Sequence, residues 1–391
     1  MEYLFPSSRR KHGRKKRWNL EQVTHYKDQS SRDDLTLPSA KLDILVESAP
    51  LICYGSPATS TGALFSGRLR ITVTEPANRL IVRELDVKLV SKKTNKKPAS
   101  SHCPNCTVLS EELTRWNLLS KPLLLESGYY DFPFSCLFPG HLPASCDSSL
   151  GQIEYILRVN TQSSTDEELN LELPLHVRRA LIPSNDVSST RTLPPTNLTC
   201  LVVRPSVTLP IGKFPVQMVL SGIVDEDNDS QTRWCLRRLM WRIEEHQRIT
   251  SPACQKHAGK RHVGGKDILH QETRIVGQNE ESNRWKAIPS IAGGEVNIQF
   301  DASISPIANA TCDMDAHDGL EVKHDLVIEF VVAYESYSNR TIALITPTDS
   351  ARLFSTRFEL HVTEHSGLSI SWDKELPPTY ENVSARAPAY T

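Results

Sequence analysis

Apolar residues recur at every second position through most of this chain. Leu42, Ile44 and Val46 alternate with Lys41, Asp43 and mostly polar neighbours, and Leu69, Ile71 and Val73 alternate with Arg68, Arg70, Thr72 and Thr74. Leu85, Val87 and Leu89 repeat the pattern against Glu84, Asp86 and Lys88. A period of two belongs to half-buried strands with one face on a core and one on water. Turns rich in Gly, Ser and Pro, such as 54–62, separate them. Leu113, Trp116 and Leu119 break the rhythm; their spacing predicts one short helix over 111–120. Alternation resumes with Ile153, Tyr155, Leu157 and Val159, and again with Leu169, Leu171, Leu173, Leu175 and Val177.

Composition then shifts at 180–195 to Pro, Ser, Thr and Asn, which reads as a linker. A second family of strands follows: Val216/Met218/Leu220, Leu239/Trp241/Ile243, Val296/Ile298/Phe300, Leu326/Ile328/Phe330/Val332 and Phe358/Leu360/Val362. A polar insert over 251–281 carries His257, His262 and His270. No Gly-rich phosphate loop and no strand–helix alternation is present. The fold class expected is all-β: two antiparallel β-sandwiches in tandem, with a basic arm before them and a short tail after. The boundaries are a disordered arm over 1–39, sandwiches over 40–180 and 198–365, a linker over 181–197 and a tail over 366–391.

Composition narrows the function classes. The 391 residues are 39% hydrophobic, enough for real cores, and 25 prolines against 17 glycines suit a chain of strand ends and loops. A formal net charge of −1 gives no global pull towards nucleic acid or membrane. No apolar run approaches the roughly 18–20 residues that span a bilayer. Met1–Pro6 leads straight into the basic cluster Arg9, Arg10, Lys11, Arg14–Arg17 rather than into a signal peptide's apolar centre. That cluster suits a solvated tail, a contact with anionic lipid or a nuclear signal. Nine irregularly spaced cysteines do not make a secreted disulfide framework, so Asn197-Leu198-Thr199 and Asn309-Ala310-Thr311 are chance sequons and the compartment is expected to be cytosolic.

Three constellations carry candidate chemistry. Pro377-Pro378-Thr379-Tyr380 is a Pro-Pro-x-Tyr sequence: the two prolines bias the backbone to polyproline II, and the tyrosine ring fills a second pocket of an aromatic-lined groove. WW domains read this ligand type; a chance match in a proline-containing tail is the bland alternative. Lys92, Lys93, Lys96 and Lys97 surround Thr94-Asn95, expected as an exposed hairpin tip, either a solvated loop or a surface for acidic client peptides. Cys103-Pro-Asn-Cys106 and Cys254-Gln-Lys-His257 each place two ligands three residues apart. Together they make a Cys3His set for a structural zinc that would join the two sandwiches, with His262 as substitute for His257. Ordinary thiols in unrelated loops, or a redox-sensitive Cys103/Cys106 pair, are the alternatives. No Gly-x-Ser-x-Gly elbow or paired-carboxylate motif stands at a strand end, so no catalytic residues are expected.

Phe132-Pro-Phe-Ser, Phe138-Pro-Gly-His-Leu-Pro-Ala-Ser and Ile153-Glu-Tyr, in that order, resemble the signature of the arrestin N-domain. Residues 319–329 resemble an arrestin C-domain strand, and the block from Phe358 to Asn382 is similar to the end of fungal arrestin-related trafficking adaptors of the low-dye-binding branch. That resemblance implies two arrestin-type sandwiches and an adaptor rather than an enzyme, with no required cofactor. It implies binding to cytosolic tails of plasma-membrane transporters, and recruitment through Pro377, Pro378 and Tyr380 of a WW-domain, HECT-type ubiquitin ligase. Ubiquitylation and endocytosis of the transporter would follow, from a cytoplasmic protein recruited to plasma membrane and to endosomes or Golgi. Relatives of that branch often carry a second such motif where Ala387-Pro388-Ala389-Tyr390 stands here. Two linked motifs gain roughly 10²-fold in avidity over one, so recruitment is expected to be weaker or to need the arrestin body. A scaffold or vesicle-coat subunit on the same double sandwich is the alternative.

Overall fold

Strand β1 (Ala40–Val46) pairs antiparallel with β3 (Ala63–Val73), and β3 with β7 (Gly128–Phe138), in one sheet of the first sandwich. The facing sheet runs β10 (Glu168–Leu175), β9 (Gly151–Ser163), β4 (Leu80–Asn95), β5 (Val108–Asn117), with β6 (Leu123–Leu125) on β4 and β8 (Cys146–Asp147) on β9. A third pair joins β2 (Leu51–Tyr54) in parallel to β11 (Val177–Ala180). These features come from a computed structural model that describes residues 40–74, 80–98, 102–163, 168–226, 230–251, 268–281, 285, 294–315, 319–338 and 345–365.

Alternation in the sequence becomes core in the structure. Val87 and Leu89 on β4 face Val159 and Leu157 on β9 in register, and all four are fully buried with Leu69, Ile71 and Phe65 from the other sheet. Tyr155, also buried, donates its hydroxyl to Pro143 O at 2.8 Å, tying the Pro-rich crossing 139–145 to the strand it precedes. Two glycines let that crossing approach. A Cβ on Gly62 (φ +94°) would stand 2.1 Å from Phe138 O, and one on Gly140 would stand 2.2 Å from Ser60 O. Nothing larger than hydrogen fits either place.

The second sandwich sets β12 (Val187–Thr192), β13 (Thr199–Arg204), β14 (Gly212–Ser221) and β18 (Glu295–Ile304) against a larger sheet. That sheet has β15 (Val224–Glu226), β16 (Ser230–Ser251), β20 (Leu320–Ser338) and β19 (Met314–Asp315), with β17 (Ile268–Glu281) on β16 and β21 (Ile345–Leu360) on β20. Its core holds Trp241, Ile243, Val216, Met218, Phe330 and Phe358. Both expected sandwiches are present, and the chain is almost all β.

Four local expectations change. The helix predicted over 111–120 is strand β5. A bulge against Leu89/Val90 makes Leu113 an extra residue, so Leu113 and Trp116, three apart, both pack on the first core and imitate helical spacing. Among the described residues near by, the one short helix is the single turn α1 (Pro104–Thr107). Most of the polar insert 251–281 that is described is the strand β17, whose side chains are exposed or half-buried except at Val276 and Gly277. The linker contains β12, an edge strand exposed on both faces and therefore without alternation. Thr94-Asn95 ends β4 rather than capping a hairpin, since α1 and its connections intervene before β5.

Candidate functional site

The seam between the sandwiches begins with two misplaced aliphatic side chains. Ile249 at the end of β16 and Leu320 at the start of β20 belong to the second sandwich, yet they are buried in the core of the first. They fit because Gly151 lacks a side chain: a Cβ there would come within 3.2 Å of Ile249 Cδ1 and 3.4 Å of Leu320 Cδ2. A polar rim surrounds this plug. Asn95 Nδ2 donates to Ser251 Oγ at 2.6 Å, and that hydroxyl donates to Lys97 O at 2.9 Å. Ser149 donates from both its backbone N (3.1 Å) and its hydroxyl (2.6 Å) to Gln247 Oε1.

Gln247 connects the seam to a buried ionic cluster. Its amide donates to Glu245, a carboxylate with no exposed side-chain surface. Arg274 on β17 holds Glu245 through two bonds, Nε to Oε1 at 2.7 Å and Nη2 to Oε2 at 2.9 Å, and Thr311 N adds a third at 2.9 Å. His324 on β20 stands between two acids, with Nδ1 2.6 Å from Asp313 Oδ1 and Nε2 3.4 Å from Glu245 Oε2. His361 approaches the other Asp313 oxygen at 3.5 Å. Burial alone would raise the Glu245 pKa. The close approach of His324 and the hydrogen bonds from Arg274, Thr311 and Gln247 outweigh it and hold the carboxyl at about 2. Burial would likewise discharge His324, but the hydrogen bond to Asp313 and the nearby Glu245 carboxylate win and its pKa stands above the ordinary 6.5. The cluster sets an imidazole, its charged form favoured, between carboxylates, one of them also held by a guanidinium.

The chain's final described residues close on the same region. Thr363 N donates to Thr208 O, Leu181 N donates to Thr363 Oγ1, and that hydroxyl donates to Arg179 O. Arg179 is itself buried, and its guanidinium donates to Gly55 O, Gly140 O and Leu142 O. One residue past the last strand therefore clasps both sandwiches.

Residues singled out from sequence fare differently. Pro377, Pro378 and Tyr380 lie outside the described residues, as do Cys254, His257 and His262. Cys103 is the N-cap of the turn α1 and Cys106 lies within it, with Cys106 N donating to Cys103 O at 3.0 Å. Among the described residues no group of three His, Cys, Asp or Glu side chains could hold a metal ion. The four lysines do not form a uniform exposed tip. Lys92 pairs with Glu154 at 3.2 Å, and Lys96 binds Asp147 Oδ1 and Ser148 O. Half-burial lowers the Lys93 pKa, and Lys97 is exposed beside the seam. Among the described residues no helix is long and apolar enough to cross a membrane.

Glu245, Gln247 and His324 were missed, although a signal existed. Glu245 and Gln247 continue the inward parity of Leu239, Trp241 and Ile243, and His324 interrupts that of Val322 and Leu326. A charge at an inward position needs a partner.

The chain is similar to several known proteins. Residues 85–261 match a family model described as LDB19, arrestin N-terminal-like. The uncharacterized protein C1F12.05 of Schizosaccharomyces pombe is 32% identical over 355 residues, covering 90% of this chain and 89% of that one. A second fission-yeast protein, C18H10.20c, is 32% identical over 364 residues, covering 90% and 94%. Protein LDB19 of Eremothecium gossypii is 33% identical over 236 residues, 56% of this chain and 34% of its own length.

Proposed function

From the premise that the chain belongs to the LDB19-type alpha-arrestin family of trafficking adaptors, we propose that it recruits a WW-domain, HECT-type ubiquitin ligase to the cytosolic tails of plasma-membrane transporters. The ligase would attach ubiquitin to the transporter, which is then internalised. The protein itself catalyses nothing; it works from the cytoplasm at the plasma membrane and at endosomes or Golgi. The observation that carries this reading is Pro377-Pro378-Thr379-Tyr380 in a tail that follows an arrestin-type double sandwich. Two fixed φ angles lower the entropy of docking in an aromatic groove, and Tyr380 supplies the second anchor.

A passive scaffold or coat subunit would share the fold without needing Tyr380. Pro378→Ala and Tyr380→Ala in the full chain separate the two. Each should abolish most binding to isolated WW domains with an unchanged melting temperature, because the tail lies outside both cores. Unaltered affinity after either substitution would remove the motif from the account.

A zinc staple between the sandwiches remains part of the proposal, with Cys103, Cys106, Cys254 and His257 as ligands. The contact of Ser251 with Asn95 and Lys97 supports it, since Ser251 is three residues from Cys254 and Lys97 six from Cys103. The purified chain should hold one zinc, measured by elemental analysis, and Cys106→Ser should release it. Zinc-free protein of undiminished stability would reject the site.

A further inference from the structure

Two arginines of the second sandwich stand over one buried ring with no carboxylate between them. Arg204 ends β13, and Arg191 lies near the end of the edge strand β12. The register sets Arg191 opposite Cys200, Ser189 opposite Val202 and Val187 opposite Arg204. Cys200 and Val202 are fully buried, so these positions face inwards, towards the opposed sheet. There Phe358 of β21 presents its ring, with Arg191 Cζ 5.4 Å and Arg204 Cζ 5.8 Å from the ring centre.

Arg204 is only 8% exposed. Its Nε donates to Glu359 O at 2.9 Å and its Nη1 to Ser189 Oγ at 3.2 Å, both uncharged acceptors. Arg191 Nη1 donates to Thr190 O at 3.1 Å. Among the described residues neither guanidinium forms an ion pair, and Nη2 of each donates to nothing. One cation over an aromatic ring is an ordinary stabilising contact, whereas a second brings like-charge repulsion with it. Burial lowers the Arg204 pKa and Arg191 lowers it further, while the exposed Glu359 offsets them only in part. A buried charge is normally matched by an opposite one. Here two charges share none.

The size of the deficit selects the ligand. A carboxylate carries one negative charge and balances one guanidinium. A phosphate group carries about −1.5 to −2 at pH 7 and three strong acceptor oxygens, which suits two forked donors. Ser189 adds a third donor, since its oxygen accepts from Arg204 and its proton is given to nothing among the described residues. The approach is open from the side. Thr190, Arg191 and Thr192 are exposed, and the far edge of β12 pairs with no other described strand.

We propose that Arg191, Arg204 and Ser189 form a phosphate-binding site at this edge of the second sandwich. The group it takes is free phosphate or the phosphate of a phosphorylated side chain on an extended segment, which the unpaired edge of β12 would accept as an added strand. The site is independent of the tail motif and of the ligase reading.

Isothermal titration of the full chain, prepared without phosphate or sulfate, tests it. Inorganic phosphate should bind with one equivalent per chain. Arg191→Gln, at an exposed position, should weaken that binding at least about tenfold, as expected for the loss of one charged hydrogen-bonding partner, without lowering the melting temperature of the unliganded protein. Arg204→Met keeps a side chain of similar length over Phe358 and should weaken binding equally. Its position is buried, so its melting transition is checked first, and Arg191→Gln alone decides the matter where Arg204→Met does not fold. A five-residue peptide centred on phosphoserine separates the two sources. Tighter binding of the peptide than of phosphate, with slower amide exchange along 187–192, assigns the site to a phosphorylated segment; tighter binding of phosphate assigns it to the free ion. Either result carries the proposal. No saturable binding of either probe, or binding that the variants leave unchanged, would overturn it.

Discussion

Glu245 has traded water for four hydrogen bonds, and the terms of that trade are pH-dependent. Its carboxyl is held at about 2 against an ordinary 4.5, so its stabilising contribution is complete above about pH 4.5 and is lost as pH falls towards 2. His324 runs the other way. Its pKa in the fold exceeds 6.5, so its contribution is complete below that value and declines as pH rises through the raised pKa. The melting temperature should therefore fall as pH is raised from 6.5, and His324→Gln should flatten that slope in a thermal-melt series; a slope that survives in the variant would acquit the imidazole. Glu245→Gln leaves His324 and Arg274 facing a neutral amide and should cost about 3–5 kcal/mol, as when one partner of a buried ion pair is removed. Chemical denaturation gives that number directly, and a loss below 1 kcal/mol would mean the cluster is not held by its charges. Lysine reversal has a simpler outcome. Lys92→Glu and Lys96→Glu place like charges beside Glu154 and Asp147 and should lower the melting temperature, whereas Lys97→Glu should leave it unchanged. Only Lys97 can therefore test client binding cleanly.

At the level of strands, the legible ones were those with one wet and one dry face. β3, β4, β9, β14 and β18 announced themselves because their inward residues are mostly apolar, with Ser91 and Thr161 as exceptions. Edge strands did not. β12 is exposed on both faces, β17 is polar along most of its length, and the bulge in β5 shifted parity so that a strand imitated a helix turn. The plug was also invisible from sequence, since Ile249 and Leu320 look like ordinary strand residues until the partner core is known. Truncating them tests how the sandwiches communicate. Ile249→Ala or Leu320→Ala should cost about 2–5 kcal/mol, the usual penalty for a buried aliphatic cut back to alanine. Calorimetry should then show the single melting transition splitting or broadening. A clean single transition displaced to lower temperature would mean the polar rim alone couples the two halves.

Over the whole molecule, the family and the double sandwich were readable because the arrestin-like blocks 132–155 and 319–329 fall on β7, β9 and β20, where side-chain packing dictates the sequence. The candidate sites were less so. The motif at Pro377–Tyr380 is a linear signal that needs no fold to be recognised, while the ionic cluster depends on five segments meeting and has no linear trace beyond a charge at the wrong parity. Thr363 gives the assembly a further property. Its clasp on Leu181 and Arg179 at one end and Thr208 of the second sandwich at the other fixes where the last described residues stand. Pro377 is twelve residues past His365. At no more than about 3.6 Å per residue, it cannot lie farther than about 43 Å from that anchor however the intervening chain runs. On the proposed ligase reading, an enzyme gripping the motif would reach acceptor groups only inside a volume centred on that anchor, and every residue inserted or deleted between His365 and Pro377 would move the boundary by one step.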